Sequence, residues 1–308
     1  MVQLSFKNIS KSYTKNRKAL NNVGFSYDGN GIVALIGRNG AGKTTLIRIL
    51  ATELMPDSGT ASMDGIDIIK EPEKVRGMMA IVPQEARTIG WLTPMQCIST
   101  YLLYRGLSYK EAKKKALISI KAVGITDYKD TVTRKLSGGT KRKVLVAMIL
   151  ASDSRLIFLD EPTTGLDPLS RGELWSVLNK LKKDRLIFLT THYLEEAERL
   201  ADKICLIENG KMLAQGTMEE LRSKIKHQYS ILLPSGSHKP KVKGTIIKGE
   251  DGSMQILTNE EEAFRISKDL IKKGVKFSTN PVSLEDIFYY IVKKPIGNDD
   301  EEGGKDEW

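Results

Sequence analysis

The chain has 308 residues, 40% of them hydrophobic and 28% charged, with a formal net charge of +10. That is enough apolar material to bury the core of one large domain or two smaller ones, which excludes a disordered chain. No run approaches the ~20 consecutive apolar residues of a membrane-spanning helix, and the opening MVQLSFKNISKSY lacks the apolar centre of a secretory signal, so a globular protein that stays in the cytosol is expected.

Residues 2–6 alternate apolar and polar at period two, and residues 23–27 partly repeat the pattern, which predicts a small antiparallel sheet. Residues 31–36 form a short apolar run bounded by glycines, as in a central strand covered on both faces. Residues 156–159 and 186–189 match it. Helical spacing fills residues 44–53, 109–123, 140–151, 169–182 and 193–201, and this alternation predicts an α/β core around a largely parallel sheet. Residues 204–214 read as two strands joined by Asn209-Gly210, a dipeptide that tolerates the positive φ of a tight hairpin. Beyond about residue 225 the texture changes to strands at 229–233, 242–248, 253–257 and 275–278 with a helix at 260–273, a small α+β domain. The last stretch, from Asn298 to Trp308, carries six acids and one base and is expected to be disordered; residues 1–297 therefore hold about +15, which is +10 minus −5. Such a charge suits nucleic acid, anionic lipid and phosphate ligands equally.

Cys97 and Cys205 are too few for a disulfide framework, and His192, His227 and His238 are too scattered for a metal site. The chemistry lies elsewhere. Gly37-Arg38-Asn39-Gly40-Ala41-Gly42-Lys43-Thr44 follows an apolar strand and opens a helix, the context that G-x-x-x-x-G-K-[ST] requires. Glycines let backbone N–H groups wrap phosphate oxygens at the positive end of a helix, Lys43 neutralises the β and γ phosphates, and Thr44 offers a hydroxyl to Mg²⁺. Thr45, next in the helix, is counted with the nucleotide-binding residues. The strand at 156–159 ends in Asp160-Glu161-Pro162, which places two carboxylates at the carboxyl edge of the sheet, where ligands of open α/β folds gather. Beside a phosphate loop, Asp160 is expected to hold Mg²⁺ and Glu161 to orient or deprotonate the attacking water; a pair of helix-capping acids is the alternative. The strand at 186–189 leads into Thr190-Thr191-His192 and brings an imidazole to the same edge.

Together these residues resemble the nucleotide-binding subunit of the ATP-binding-cassette family, whose motifs residues 2 to about 220 match in their usual order. Leu136-Ser137-Gly138-Gly139-Thr140 is similar to that family's signature loop, a second anion cradle at a helix start. The family's signature ends in Gln where this chain has Thr140. The resemblance implies that Tyr13 stacks on adenine, that Gln84 senses Mg²⁺ and the attacking water, and that Asp167 lies at a dimer interface. It also implies a P-loop NTPase core with an antiparallel β subdomain and an α-helical signature subdomain, followed by the α+β accessory domain. The expected boundaries are 1–222 for the nucleotide-binding domain, with helices at about 85–150, then 223–295 and a tail at 296–308.

In that family ATP is sandwiched between the phosphate loop of one subunit and the signature loop of another. The resemblance therefore implies ATP and Mg²⁺ as ligands, a head-to-tail dimer of two copies, and hydrolysis coupled to separate integral membrane permease subunits on the cytoplasmic face of a membrane. Trp91, Leu92 and Met95 would either form the groove for a permease helix or pack in the helical subdomain itself. Residues 281–288 are similar to the ending of subunits that serve export. A soluble cassette ATPase acting on ribosomes or nucleic acid is the alternative that the basic charge suits, but a single phosphate loop and the absence of a long coiled-coil insertion argue against it, and no nucleic acid is expected.

Overall fold

The structure, a computed structural model, describes residues 1–14, 17–225, 227–236, 244–248 and 252–293. It divides into two compact units, Met1–Met212 and Leu213–Trp308. The division falls inside a strand, whereas the sequence reading placed a boundary at 222. The helix Met218–Ser223 goes with the second unit, where Arg222 Nε donates to Val282 O at 2.9 Å.

In the first unit, β1 (Gln3–Thr14) pairs antiparallel with β2 (Arg17–Asp28). Both are longer than the alternation in the sequence shows. Register shifts from Phe6 onward, together with left-handed Asn8 (φ 54°) and Asn22 (φ 59°), break the period of two, and Asn is the residue that tolerates this conformation. Next come β3 (Gly31–Ile36), α1 (Lys43–Leu50), β4 (Ser58–Met63), β5 (Ile66–Asp67), α2 (Pro72–Arg76) and β6 (Met79–Val82). Three helices follow: α3 (Pro94–Tyr104), α4 (Tyr109–Ala122) and α5 (Gly138–Ala151). Then β7 (Leu156–Asp160), α6 (Pro168–Leu181), β8 (Leu186–Thr191), α7 (Leu194–Leu200) and β9 (Lys203–Glu208) complete the unit, and the chain leaves it within β10 (Lys211–Gly216). The turn at Asn209 (φ 48°) and Gly210 (φ 72°) is doubly left-handed, as the dipeptide predicts.

Two sheets form the frame. One runs β2-β1-β4-β5 and is antiparallel; the other places β9, β3, β8, β7 and β6 side by side in parallel. Every residue of β3, β7 and β8 is buried, which is why these strands read as unbroken apolar runs rather than alternations. Phe188 of β8 joins the two layers, with ring centroids 6.5 Å from Phe6, 6.3 Å from Phe25 and 6.1 Å from Phe158. The helical segment is punctuated by caps. Thr93 and Gln96 form a reciprocal capping box on α3, Ser108 and Glu111 do the same on α4, and Ser137 caps α5.

In the second unit, α8 (Met218–Ser223) precedes β11 (Tyr229–Leu233), β12 (Thr245–Lys248), β13 (Met254–Thr258), α9 (Glu260–Lys272), β14 (Ser278–Pro281) and α10 (Leu284–Lys293). Its antiparallel sheet runs β12-β13-β11-β14. Ile231, Leu233, Met254 and Ile256 pack against Ala263, Ile266 and Leu270 of α9. The strand expected at 275–278 instead spans Ser278–Pro281: Val275 and Phe277 turn inward onto that core, and the exposed residues after them pair with β11. The acidic tail expected at 296–308 lies outside the described residues. No described helix is long and apolar enough to cross a membrane.

Because Phe188 is fully buried among three other rings, Phe188→Ala is expected to cost about 3–5 kcal/mol of unfolding free energy. Urea denaturation followed by tryptophan fluorescence checks this, and a loss below about 1 kcal/mol would contradict a rigid junction between the two layers.

Candidate functional site

Four parallel strands end along one edge, and each delivers a polar group there. β3 runs into residues 37–42 and then α1, β6 leads through Pro83 to Gln84, β7 ends at Asp160 beside Glu161, and β8 is followed by His192. Since β8 lies between β3 and β7, His192 emerges between the phosphate loop and the carboxylates.

The loop bends through Gly40 (φ 82°) and Gly42 (φ 107°). A Cβ on Gly42 would meet Ala19 O at 2.5 Å and one on Gly37 would meet Ile207 O at 2.2 Å, so only glycine lets these backbones approach. The N–H groups of Asn39, Gly40, Gly42 and Lys43 have no acceptor among the described residues. They form the donor set that an anion at a helix start requires. Lys43 is 5% exposed and donates to Gly37 O at 2.8 Å and Arg38 O at 3.2 Å, with its ammonium 3.4 Å from Glu161 Oε1.

Glu161 is 7% exposed and left-handed (φ 47°), a strained conformation for a residue with a side chain. Its amide donates to Thr190 O at 3.2 Å and Thr190 Oγ1 at 3.0 Å. Gln84 Nε2 (3.3 Å) and the Thr164 hydroxyl (3.1 Å) both donate to Glu161 Oε2. His192 Nδ1 lies 3.2 Å from that oxygen, an ion pair when the ring is protonated but outside hydrogen-bond geometry. Burial pushes the Glu161 carboxyl up, and Lys43, His192 and Thr164 more than offset it, leaving the group below its ordinary value. It is therefore an ionised acceptor. Asp160 lies beneath it, 1% exposed, and accepts from the Thr190 hydroxyl.

Gly40, Gly42, Lys43, Gln84, Glu161 and His192 line one cavity of about 440 Å³, together with Tyr13, Asn39, Thr44 and Thr45, whereas Asp160, the metal ligand expected from the sequence, is buried and does not line it. Tyr13 stands 53% exposed at its rim, its hydroxyl 3.3 Å from Thr45 Oγ1. Arg17, Lys18 and Ala19 of β2 also line the cavity, as does Thr164. None of the four was found from the sequence. Two adjacent cations shortly after Tyr13 were the signal for Arg17 and Lys18, and Thr164, three residues beyond Glu161, carried none.

The residues resembling a signature loop lie outside this cavity. Ser137 Oγ accepts from Thr140 N at 3.2 Å and sits 2.9 Å from Thr140 Oγ1, so the threonine that replaces the family's glutamine spends its hydroxyl on the cap. Gly138 is exposed with open space where a side chain would be, and the N–H groups of Gly138 and Gly139 have no acceptor among the described residues. Asp167 is exposed and caps α6, accepting from Ser170 N at 3.0 Å and from its hydroxyl at 2.6 Å; these bonds, that from the side chain first, hold its carboxyl below the ordinary value. Trp91 is 75% exposed, while Leu92 and Met95 are half-buried.

The profile of the ABC transporter family matches residues 20–164. The daunorubicin/doxorubicin resistance ATP-binding protein DrrA of Streptomyces peucetius is 39% identical over 195 residues, which are 63% of this chain and 59% of DrrA, so the match spans less than two thirds of that relative. The Nod factor export ATP-binding protein I of Burkholderia orbicola is 31% identical over 96% of this chain and 99% of its own length. Among solved structures, an ATP-binding subunit of an ABC transporter superposes with a TM-score of 0.64 at 30% identity, covering 72% of this chain and 92% of that one.

The depressed Glu161 carboxyl has a consequence for stability. A group whose folded pKa lies below its unfolded value of 4.5 stabilises the fold above that pH, and the contribution is lost as pH falls through the folded value. Glu161→Gln in the nucleotide-free chain is therefore expected to be less stable than wild type at pH 7, with the gap closing below about pH 4. Parallel urea titrations at the two pH values measure this, and a gap that widens in acid would mean that Lys43 does not stabilise the carboxylate.

Proposed function

The chain belongs to the ABC transporter family, and we propose that it is the subunit that binds and hydrolyses ATP to drive separate permease subunits in a membrane. The observation that carries this reading is the convergence of Lys43, Glu161, Gln84 and His192 on one cavity lined by loop N–H groups that have no acceptor among the described residues.

In this reading the triphosphate lies along residues 37–45, its oxygens meeting the free N–H groups and the Lys43 ammonium, and adenine rests against Tyr13 at the exposed rim. Arg17 and Lys18 add positive charge beside the phosphates. A phosphate-bound Mg²⁺ needs only one or two protein ligands. Thr44, exposed on the cavity lining with no partner for its hydroxyl among the described residues, fits direct contact, and Asp160, buried outside that lining, fits contact through water; the ion would neutralise charge on the β and γ phosphates. Glu161 accepts a proton from the attacking water, while Gln84 and His192, both beside its Oε2, hold that water and the γ-phosphate in line. Arrival of the nucleotide gives Lys43 a stronger anionic partner and leaves Glu161 freer to act as a base.

The start of α5 completes the site of a second copy, the N–H groups of Gly138 and Gly139, without an acceptor among the described residues, meeting the γ-phosphate held by the partner's Lys43. The two chains thus close head to tail around two nucleotides, with Asp167 at the seam. Trp91 and its half-buried neighbours offer the surface on which a permease helix docks, at the cytoplasmic face of the membrane. The names of the relatives, a drug-resistance ATP-binding protein and an export ATP-binding protein, favour export over uptake, and over the alternative of a soluble ATPase acting on ribosomes or nucleic acid.

Glu161→Gln is expected to lower kcat by about 10²–10⁴-fold while retaining ATP affinity, and to double the apparent mass in size-exclusion chromatography when ATP is present. Lys43→Ala is expected to abolish that shift. A Glu161→Gln chain that stays monomeric with saturating ATP while still binding it would overturn the shared-site reading.

A further inference from the structure

We propose that Arg142 is a positioning residue for hydrolysis: from the helix that the signature residues open, it holds the backbone of Glu161 in the left-handed conformation that brings the carboxylate into the nucleotide cavity. The inference rests on the reading of Glu161 as the general base and extends it to a residue that lines no phosphate contact.

Arg142 is 9% exposed, and its guanidinium spans the turn after β7. Nε donates to Pro162 O at 2.8 Å, and Nη2 donates to Asp160 O and Glu161 O, each at 3.1 Å. Three consecutive carbonyls are thus gathered by one planar cation. A lysine ammonium, a point donor on a flexible stem, cannot reproduce that fork. Burial pushes the Arg142 guanidinium down, and the carboxylates of Asp160 and Glu196 oppose this through space, while its direct hydrogen bonds go to the three carbonyls.

A left-handed glutamate persists only where its surroundings over-determine it. Here the constraint comes from two sides. Thr190 accepts from the amide of Glu161 through its carbonyl and its hydroxyl, while on the other side of the same residue the carbonyl accepts from Arg142 at 3.1 Å and, more distantly, from Thr164 N at 3.4 Å. Removing the shorter, charged hold from the carbonyl lets the residue relax toward the ordinary right-handed or extended regions, and Oε2 then leaves Gln84, Thr164 and His192.

Arg142 is also placed to report on the signature loop. It follows the Ser137 cap by five residues, about 7.5 Å along the axis of one continuous helix. Any shift of α5 when Gly138 and Gly139 meet a nucleotide is carried by a rigid element to the three carbonyls. The general base is thereby tied to the occupancy of the neighbouring site.

The test uses the full chain and three readouts. In R142K, which keeps the charge, kcat is expected to fall roughly ten- to a hundredfold with KM for ATP changed less than about twofold, the signature of a misplaced group rather than lost binding. Combined with Glu161→Gln, R142K is expected to cause no further loss, because it acts through the group already removed. Amide hydrogen exchange in residues 160–164 is expected to speed up in R142K and in Arg142→Met, while exchange in residues 37–45 and affinity for a fluorescent ATP analogue stay at wild-type values. An unchanged kcat in R142K, an equal rise in KM, losses that multiply with Glu161→Gln, or unaltered exchange at 160–164 would each overturn the proposal. If the wild-type chain hydrolyses no ATP, the functional reading fails, and the exchange measurement still decides whether Arg142 holds the turn.

Discussion

The site is organised by a buried ion pair between Lys43 and Glu161, two charges brought out of water at the carboxyl edge of a parallel sheet. Desolvating both is costly, and their attraction compensates only when the remaining donors and acceptors are also satisfied. The fold supplies those partners from separate strands: carbonyls of Gly37 and Arg38 for the ammonium, and Gln84 and Thr164 for the carboxylate. The parallel order with β8 between β3 and β7 is what lets the two charges face each other, with His192 beside the other oxygen of Glu161. An antiparallel sheet would send alternate strand ends to the opposite edge and break up the group.

Around that pair the backbone leaves the ordinary regions at Gly40, Gly42 and Glu161, just beyond the buried strands β3 and β7. Glycine adopts these conformations at no steric cost, so the phosphate loop needs no outside support for its bend. Glu161 has a side chain that chemistry requires and a φ that sterics disfavour. Its turn is therefore the part of the site that must be held by neighbours, which explains why a buried arginine and a buried threonine, neither in the cavity, are bonded to its backbone.

The parts legible in the sequence were those whose geometry is local. Residues 37–44 announce themselves because an anion cradle at a helix start needs glycines and a lysine at fixed spacing. Asp160, Glu161 and His192 were readable because each lies within three residues of the end of an apolar run, which fixes the sheet edge on which it lands. Gln84 and Tyr13 have no such local mark and came only from the resemblance. Arg17, Lys18 and Thr164 reach the cavity by tertiary approach, and no spacing along the chain encodes it. Among the elements, β6 was missed because four residues are too few to show a period, and α3 was missed although Thr93, Pro94 and Gln96 spell a helix start. The second unit was harder: Val275 and Phe277 are apolar because they meet α9, not because they lie in a strand.

The two anion-binding helix starts of this chain differ in how they are furnished, and the difference bears on how a shared site would work. α1 begins with a lysine buried beside a carboxylate, so its positive charge is present before any ligand arrives and is partly neutralised within the chain. α5 begins with Ser137 and Gly138 exposed and Gly139 half-buried against Ser170, with no buried charge in these three residues and only N–H groups and a hydroxyl to offer. The first start can hold a polyphosphate by itself. The second supplies only the weaker, dipolar part of an anion site, on the order of 1 kcal/mol when exposed to water, and gains strength only when a partner surface excludes that water. A device of this kind rewards closure rather than binding, so on the shared-site reading ATP affinity belongs to α1 and the energy that drives the two copies together belongs to α5.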